Sequence, residues 1–371
     1  MVLKMADLVV VLDPGASLTK IWYSYQAQEP KLLLMEPEVI RMDIQILAEE
    51  FENKVGQSDP ENSAWVQVEE KAWAVGSFAR TNFAAPKTLI QRKYIDSLPK
   101  VLAAISVIFE REKIPAANLS LYLGVLLPKS EWEDRKTFED KVKAALECFR
   151  FRHRSLSLKL EDFNCSPEGA GVIYSLRREL GEEFKSLNVG VLIIGFRNCS
   201  YLTMNRGIFG ACDSSNFGFV HLVKLVKDST SGLSIEQLTP TIYKAGSKVD
   251  VKALTHLVIA DEPEQELEDI QKISAAIKNA QKRYWASFQN WLKNNFPDRE
   301  LDMIVQSGGS VDYFKPMLKK LYPSASYLNQ LKDVIKTSFP SLHPLRLEDS
   351  YGFFQFINES NNKRLKKLLR V

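Results

Sequence analysis

Asp13 closes a run of five apolar residues, Leu8 to Leu12, and leads into Pro14, Gly15, Ala16, Ser17, Leu18, Thr19 and Lys20. These residue types suit an anion. Gly15 lets the backbone come close to a ligand, successive N–H groups of a tight turn converge on negative charge, and Lys20 adds a full positive one. Asp13 would repel a bare phosphate, but it can hold a hydrated Mg2+ that a nucleotide brings with it. A purely structural turn of the same composition is the alternative reading of this stretch alone. Further along, Pro167-Glu168-Gly169-Ala170-Gly171 opens a helix, where the charge of Glu168 complements the helix dipole. Gly195 to Asn198 forms a second polar turn after an apolar run. Ser307-Gly308-Gly309-Ser310 is a third, and its paired glycines let a flat ligand approach the backbone.

The elements that must carry these turns follow from hydrophobic pattern. Leu8–Leu12, with three valines, reads as a strand covered on both faces, and residues 20–25 as the strand returning from the turn. Residues 31–39 and 65–75 read as further strands around a polar insertion, a small strand-rich subdomain. Leu98, Leu102, Ile105 and Phe109 fall at helical spacing, residues 119–128 form a buried strand, and a helix is expected from Glu131 to about Arg150. Alternating Leu156, Leu158 and Leu160 predict another strand, and residues 170–180 a helix. Val189–Ile194, the turn at Gly195 to Asn198 and Tyr201–Met204 then repeat the layout of the opening hairpin, as a duplicated two-lobe architecture would.

A helix near Val220–Val226 follows, and the stretch from Glu264 to Phe296 has neither Gly nor Pro. Its apolar residues recur at steps of three and four, acidic residues early and basic residues late, which predicts a long amphipathic helix. The run Lys282 to Trp285 could suggest nucleic acid, but core packing with a solvated Lys/Arg face is the preferred reading. Residues 301–305 then read as a strand and Val311–Leu321 as a helix, so the third turn joins the two.

A chain of 371 residues is long enough for two lobes with sizeable cores. Its net charge of +3 is too small to predict nucleic-acid binding by the surface as a whole. Four scattered cysteines and four dispersed histidines argue against a disulfide framework or a zinc site and for a reducing cytoplasm. No signal-peptide pattern and no run of membrane-spanning length is present. Near the end, Lys363, Arg364, Lys366, Lys367 and Arg370 surround Leu365, Leu368 and Leu369. That pattern predicts a final helix docking its leucines, or a basic contact with a partner.

The order of Asp13 to Lys20, Pro167 to Gly171, Ile193 to Met204 and Ser307 to Phe314 resembles the actin, sugar-kinase and heat-shock ATPase superfamily. Within it, Val75 to Ala79 (VGSFA), PEGAG, IGFRN and Ser350 to Phe354 (SYGFF) are similar to the ParM/StbA plasmid-segregation actins and their archaeal relatives. The resemblance covers essentially the whole chain. It implies an α/β fold of two ribonuclease-H-like lobes around a central nucleotide cleft: residues 1–170 with a subdomain at about 31–95, residues 171–345 with one at about 211–300, and a returning segment 346–371. It further implies ATP or GTP with Mg2+, and a first phosphate loop of Asp13, Gly15, Ala16, Ser17, Thr19 and Lys20, with Asp13 also the metal residue. Gly195, Arg197 and Asn198 fall in the second loop, Gly308, Gly309 and Ser310 by the adenosine, and Glu168 where the carboxylate that positions attacking water sits. Phosphoryl transfer to water needs neutralised charge and an oriented nucleophile, and little covalent work by the protein.

One departure bears on turnover. The second loop of the family usually opens with an aspartate, and here that position is Ile193, followed by Asn198-Cys199 where a threonine pair is usual. An isoleucine cannot bind a metal, so slow or absent hydrolysis is expected beside retained nucleotide binding. The implied function is a nucleotide-dependent filament that segregates plasmid DNA through a DNA-bound adaptor, with little direct contact to nucleic acid. A small-molecule kinase, a non-hydrolysing scaffold and a membrane-linked division actin are the other readings on this fold.

Overall fold

The computed structural model describes residues 6–53, 56, 58–86, 93–115, 119–258 and 262–368. The chain divides into two compact units, one of residues 1–178 and 347–371, the other of residues 179–346.

In the first unit the strands are β1 (Leu8–Pro14), β2 (Thr19–Tyr25), β3 (Lys31–Met35), β4 (Val39–Met42), β5 (Trp65–Val68), β6 (Lys71–Val75), β7 (Ser120–Leu127), β8 (Phe149–Phe151), β9 (Arg154–Leu156) and β10 (Lys159–Pro167). They form two five-stranded sheets, β10-β7-β1-β2-β3 and β4-β6-β5-β8-β9. β1 runs parallel to β7 and antiparallel to β2, and β7 runs parallel to β10. Residues 8, 10 and 12 of β1 join a core with Val101, Ile105, Ile108 and Phe109 of the Lys93–Arg111 helix. On the opposite face, Gly124 of β7 lies against Val11, Phe353 and Ile357, so the Glu348–Leu368 helix covers it. Cover on both faces is why β1 is apolar without alternation.

The second unit contains β11 (Asn188–Ile194), β12 (Cys199–Asn205), β13 (Ile208–Ser215) and β14 (Met303–Ser307), in the order β13-β12-β11-β14. Its core joins Leu192 and Ile194 to the Phe219–Lys227, Pro263–Asn295 and Val311–Leu321 helices. Tyr284 of the long helix is fully buried, stacks on Phe314 at 4.8 Å between ring centroids, and donates its hydroxyl to the Phe217 carbonyl at 2.7 Å. Lys282 and Arg283 beside it are exposed. The aromatic and basic run is therefore core packing with a solvated face.

Several expected elements differ in detail. The strand expected over residues 31–39 is two strands in different sheets, β3 and β4, separated at Pro37, which has no N–H to give a ladder. The helix expected to reach Arg150 stops at Glu147, because Phe149 and Phe151 alternate with exposed Arg150 and enter a sheet as β8. Leu156 ends β9 while Leu160 belongs to β10 in the other sheet. β13 was not expected at all: Gly210, Asp213, Ser214 and Ser215 leave it no apolar alternation, and it sits at a sheet edge. The side chains of the basic C-terminal run beyond Lys363 lie outside the described residues. No described helix is long and apolar enough to cross a membrane.

Candidate functional site

In the first unit the site begins at the β1–β2 hairpin, where Asp13 pairs across from Lys20 and Pro14 from Thr19. The Gly15 N–H donates back to the Asp13 carbonyl at 2.8 Å, tightening the turn, and residues 15–18 remain partly exposed at its tip. Asp13 is buried and forms an ion pair with the Lys20 ammonium. The Thr19 hydroxyl is buried with no hydrogen-bond partner. An orphaned buried hydroxyl costs free energy unless a ligand oxygen meets it, so this turn suits an anionic group.

Glu168 is brought to the same end of the sheet. β1, β7 and β10 are parallel, with Leu12 beside Val125 and Pro167 beside Leu127, so Asp13 and Glu168 both lie at the strands' carboxyl ends. Ligands of open α/β sheets bind at that edge. The Glu168 N–H donates to the Leu127 carbonyl at 2.9 Å, and Gly169 then takes φ +96° to turn the chain into the Ala170–Leu180 helix. The sequence reading missed Asp349. Its carboxylate accepts the N–H groups of Gly169 at 2.8 Å, Gly171 at 2.8 Å and Val172 at 3.3 Å. Burial, reinforced by the charges of Asp13 and Glu168, outweighs these N–H bonds and pushes the Asp349 carboxyl up to about 7. A signal for it exists in the sequence: Gly169 has no side chain to cap the helix, so the acceptor must come from elsewhere.

The second unit builds two turns into one piece. The Gly195 N–H donates to the Asn198 carbonyl at 2.9 Å, and Arg197 Nε donates to Asn198 Oδ1 at 2.9 Å. The Ser310 N–H donates to the Ile194 carbonyl at 3.0 Å and its hydroxyl to the Gly195 carbonyl at 3.1 Å, so the glycine-pair turn is pinned to the strand end. Gly308 makes this possible: its φ is +105°, and a Cβ there would stand 2.5 Å from the Ile194 carbonyl oxygen. Ile193 is 8% exposed and lies between Ser200 and Ser307 in the sheet, an apolar residue with no donor atom for a metal.

Two further residues flank the glycine pair without having been singled out by sequence. Tyr243, on the Ile235–Ala245 helix, donates its hydroxyl to the Gly309 carbonyl at 3.2 Å and stacks on Tyr313. The Arg346 side chain lies where a Gly309 Cβ would be. Burial, with the nearby Asp312 charge, raises the Tyr243 hydroxyl above its ordinary value and keeps it a donor. A planar ring and a guanidinium beside bare backbone suit a flat heterocycle. Tyr243 and Arg346 are far from the glycine pair in sequence or hidden by an ordinary helix pattern, which is why only the fold reveals them.

Among the described residues, no group of three His, Cys, Asp or Glu side chains is placed to hold a metal ion. Among the described residues, Asp13 belongs to no such group.

By sequence, no family model and no curated protein matches this chain. By structure it is similar to a ParM subunit from a 15-stranded filament of Clostridium botulinum, with a TM-score of 0.61 at 16% identity over 96% of this chain and 100% of that one. It is also similar to the archaeal actin homologue Ta0583, with a TM-score of 0.59 at 15% identity, covering 95% of this chain and 99% of that one. The ADP complex of Ta0583 gives a TM-score of 0.58 at 13% identity, covering 94% and 98%. The chain has the actin fold.

Proposed function

We propose that this chain is a nucleotide-binding, actin-like protein that assembles into filaments in the cytoplasm and serves plasmid DNA segregation through a DNA-bound adaptor. The observation that carries the reading is the fused pair of turns, Gly195–Asn198 and Ser307–Ser310, held together by Ser310. It supports one rigid cradle in which phosphate and base are recognised at a fixed spacing. Within the first unit, the orphaned Thr19 hydroxyl independently suits an anionic group. Filament formation is supported by the fold shared with the Clostridium botulinum ParM filament subunit, and nucleotide binding by the fold shared with the ADP-bound archaeal homologue.

Each residue then has a task. The N–H groups of the turn beyond Gly15, the Thr19 hydroxyl and Lys20 bind phosphate oxygens, while Gly15 closes the turn through its N–H to Asp13 and Ala16 and Ser17 shape the loop. Arg197 and Asn198 present the second turn, and Gly308, Gly309, Tyr243 and Arg346 receive the base. A nucleotide-borne Mg2+, with Asp13 as its protein carboxylate, would neutralise phosphate charge. Glu168 orients the attacking water. Ile193 contributes nothing to that chemistry, which favours slow turnover and a long-lived nucleotide state.

Calorimetric titration with ATP and with GTP, each with Mg2+, tests the reading. Saturable binding to the wild type, weakened in Thr19→Val, is the expected result. No binding of either nucleotide to the folded protein contradicts it.

A further inference from the structure

Glu168 sits in a short turn that the chain must hold still for a water to be oriented. Geometric error of about 1 Å in a catalytic group costs on the order of a hundredfold in rate, so the backbone beneath it matters as much as the carboxylate. Pro167 ends β10, and Gly169 has a positive φ that only glycine takes readily. The first turn of the following helix also exposes unpaired N–H groups, and Gly169, where a capping side chain would sit, has none.

Asp349 supplies both needs from 180 residues away in sequence. One carboxylate oxygen accepts the Gly169 N–H at 2.8 Å, and the other accepts Gly171 at 2.8 Å and Val172 at 3.3 Å. The Glu168 N–H is meanwhile held by the Leu127 carbonyl at 2.9 Å. Both peptide groups flanking Glu168 are therefore tied, one to β7 and one to Asp349. The tie is short because Gly171 and Gly352 bring the Ala170–Leu180 and Glu348–Leu368 helices into backbone contact. Ser350, next to Asp349, is itself fixed, accepting from Trp22 Nε1 at 3.1 Å and donating to the Leu347 carbonyl at 3.0 Å.

We infer that Asp349 is the positioning residue for Glu168, fixing the turn that carries it through the Gly169 N–H and the first turn of the helix. Asp349 does not touch the reacting atoms; it acts through Glu168. The inference rests on the reading of Glu168 as the residue that orients water. A residue that served only to cap the helix would change stability without any specific link to the Glu168 side chain.

A double-mutant cycle on phosphate release separates these cases, using the full-length protein with ATP and Mg2+. Asp349→Ala is expected to lower kcat on the order of a hundredfold, with nucleotide affinity within about twofold of wild type. Asp349→Asn keeps one acceptor oxygen and loses the other, so its kcat is expected to fall on the order of tenfold, a partial rescue. In a Glu168→Ala background both changes are expected to have no further effect on the rate. Equal losses in the two backgrounds, or an unchanged kcat in Asp349→Ala, overturn the positioning role while leaving nucleotide binding in place. A wild type that binds nucleotide and releases no phosphate also removes the role. A wild type that binds no nucleotide removes the functional reading itself. If Asp349→Ala does not fold, the same cycle with Asp349→Asn decides the matter.

Discussion

Gly171 and Gly352 meet backbone to backbone where the Ala170–Leu180 and Glu348–Leu368 helices touch, and neither has room for a Cβ. A Cβ on Gly171 would overlap the Asp349 carbonyl oxygen, and one on Gly352 would overlap the Gly171 carbonyl oxygen and the Ser175 hydroxyl. On helix propensity alone, Gly→Ala in a helix stabilises by roughly 1 kcal/mol. Here sterics reverse the sign. Gly352→Val is expected to cost about 3 kcal/mol or more, read as a lower urea midpoint. A midpoint at or above wild type would show that the two helices have slack.

Asp349 carries a pH signature with a definite sign. Its folded value, about 7, stands above its ordinary 3.8, so the folded state keeps a proton that the unfolded chain has already lost. The stability it contributes is full below pH 3.8, falls as pH rises and is gone above 7. Asp349→Asn removes this dependence. The stability difference between variant and wild type is therefore expected to move in the variant's favour as pH rises from 4 to 7, whatever its starting offset. Thermal melts of both proteins across that range check it, and parallel curves would contradict the burial of this carboxyl.

The glycine-pair turn gives a binding prediction. Arg346→Ala and Tyr243→Phe are expected to weaken nucleotide affinity, the first by roughly tenfold and the second by a few-fold, as one hydrogen bond of about 1 kcal/mol would. Gly309→Val is expected to be worse than either, because its side chain displaces Arg346. Fluorescent-nucleotide displacement reads all three. Unchanged affinity throughout would take the base away from this turn.

The strands and turns were legible wherever local chemistry decides structure. Leu8–Leu12 and Val189–Ile194 are long apolar runs stopped by polar turns, and burial on both faces is written in their composition. The glycine pair and the Gly15 turn were legible for the same reason. Asp349, Tyr243 and Arg346 were not, because each acts through a partner distant in sequence: Gly169 for the first and Gly309 for the others. Glycine supplies the clue in both cases. It marks where the backbone is approached, without saying by what. β13 escaped because an edge strand needs only ladder bonds on one side, and its polar residues carry no periodicity.

On the proposed reading, Ile193 limits how fast a bound nucleotide is spent. Ile193→Asp is expected to raise phosphate release if the missing carboxylate limits it. The cost is a carboxylate at a site now 8% exposed, expected to lower stability by about 1–3 kcal/mol. Single-turnover phosphate release, with a melt to confirm folding, separates the two effects. A folded variant with the wild-type rate would show that the limit lies elsewhere.

The central claim, assembly governed by nucleotide, is tested most directly by sedimentation of the purified chain with and without ATP or GTP and Mg2+. Binding that favours one arrangement of the subunit shifts the population a neighbouring copy can recognise. The account predicts that the protein pellets with nucleotide and stays in the supernatant without it, and that Thr19→Val pellets less at the same nucleotide concentration. A chain that remains in the supernatant at every protein concentration, with either nucleotide bound, would contradict it.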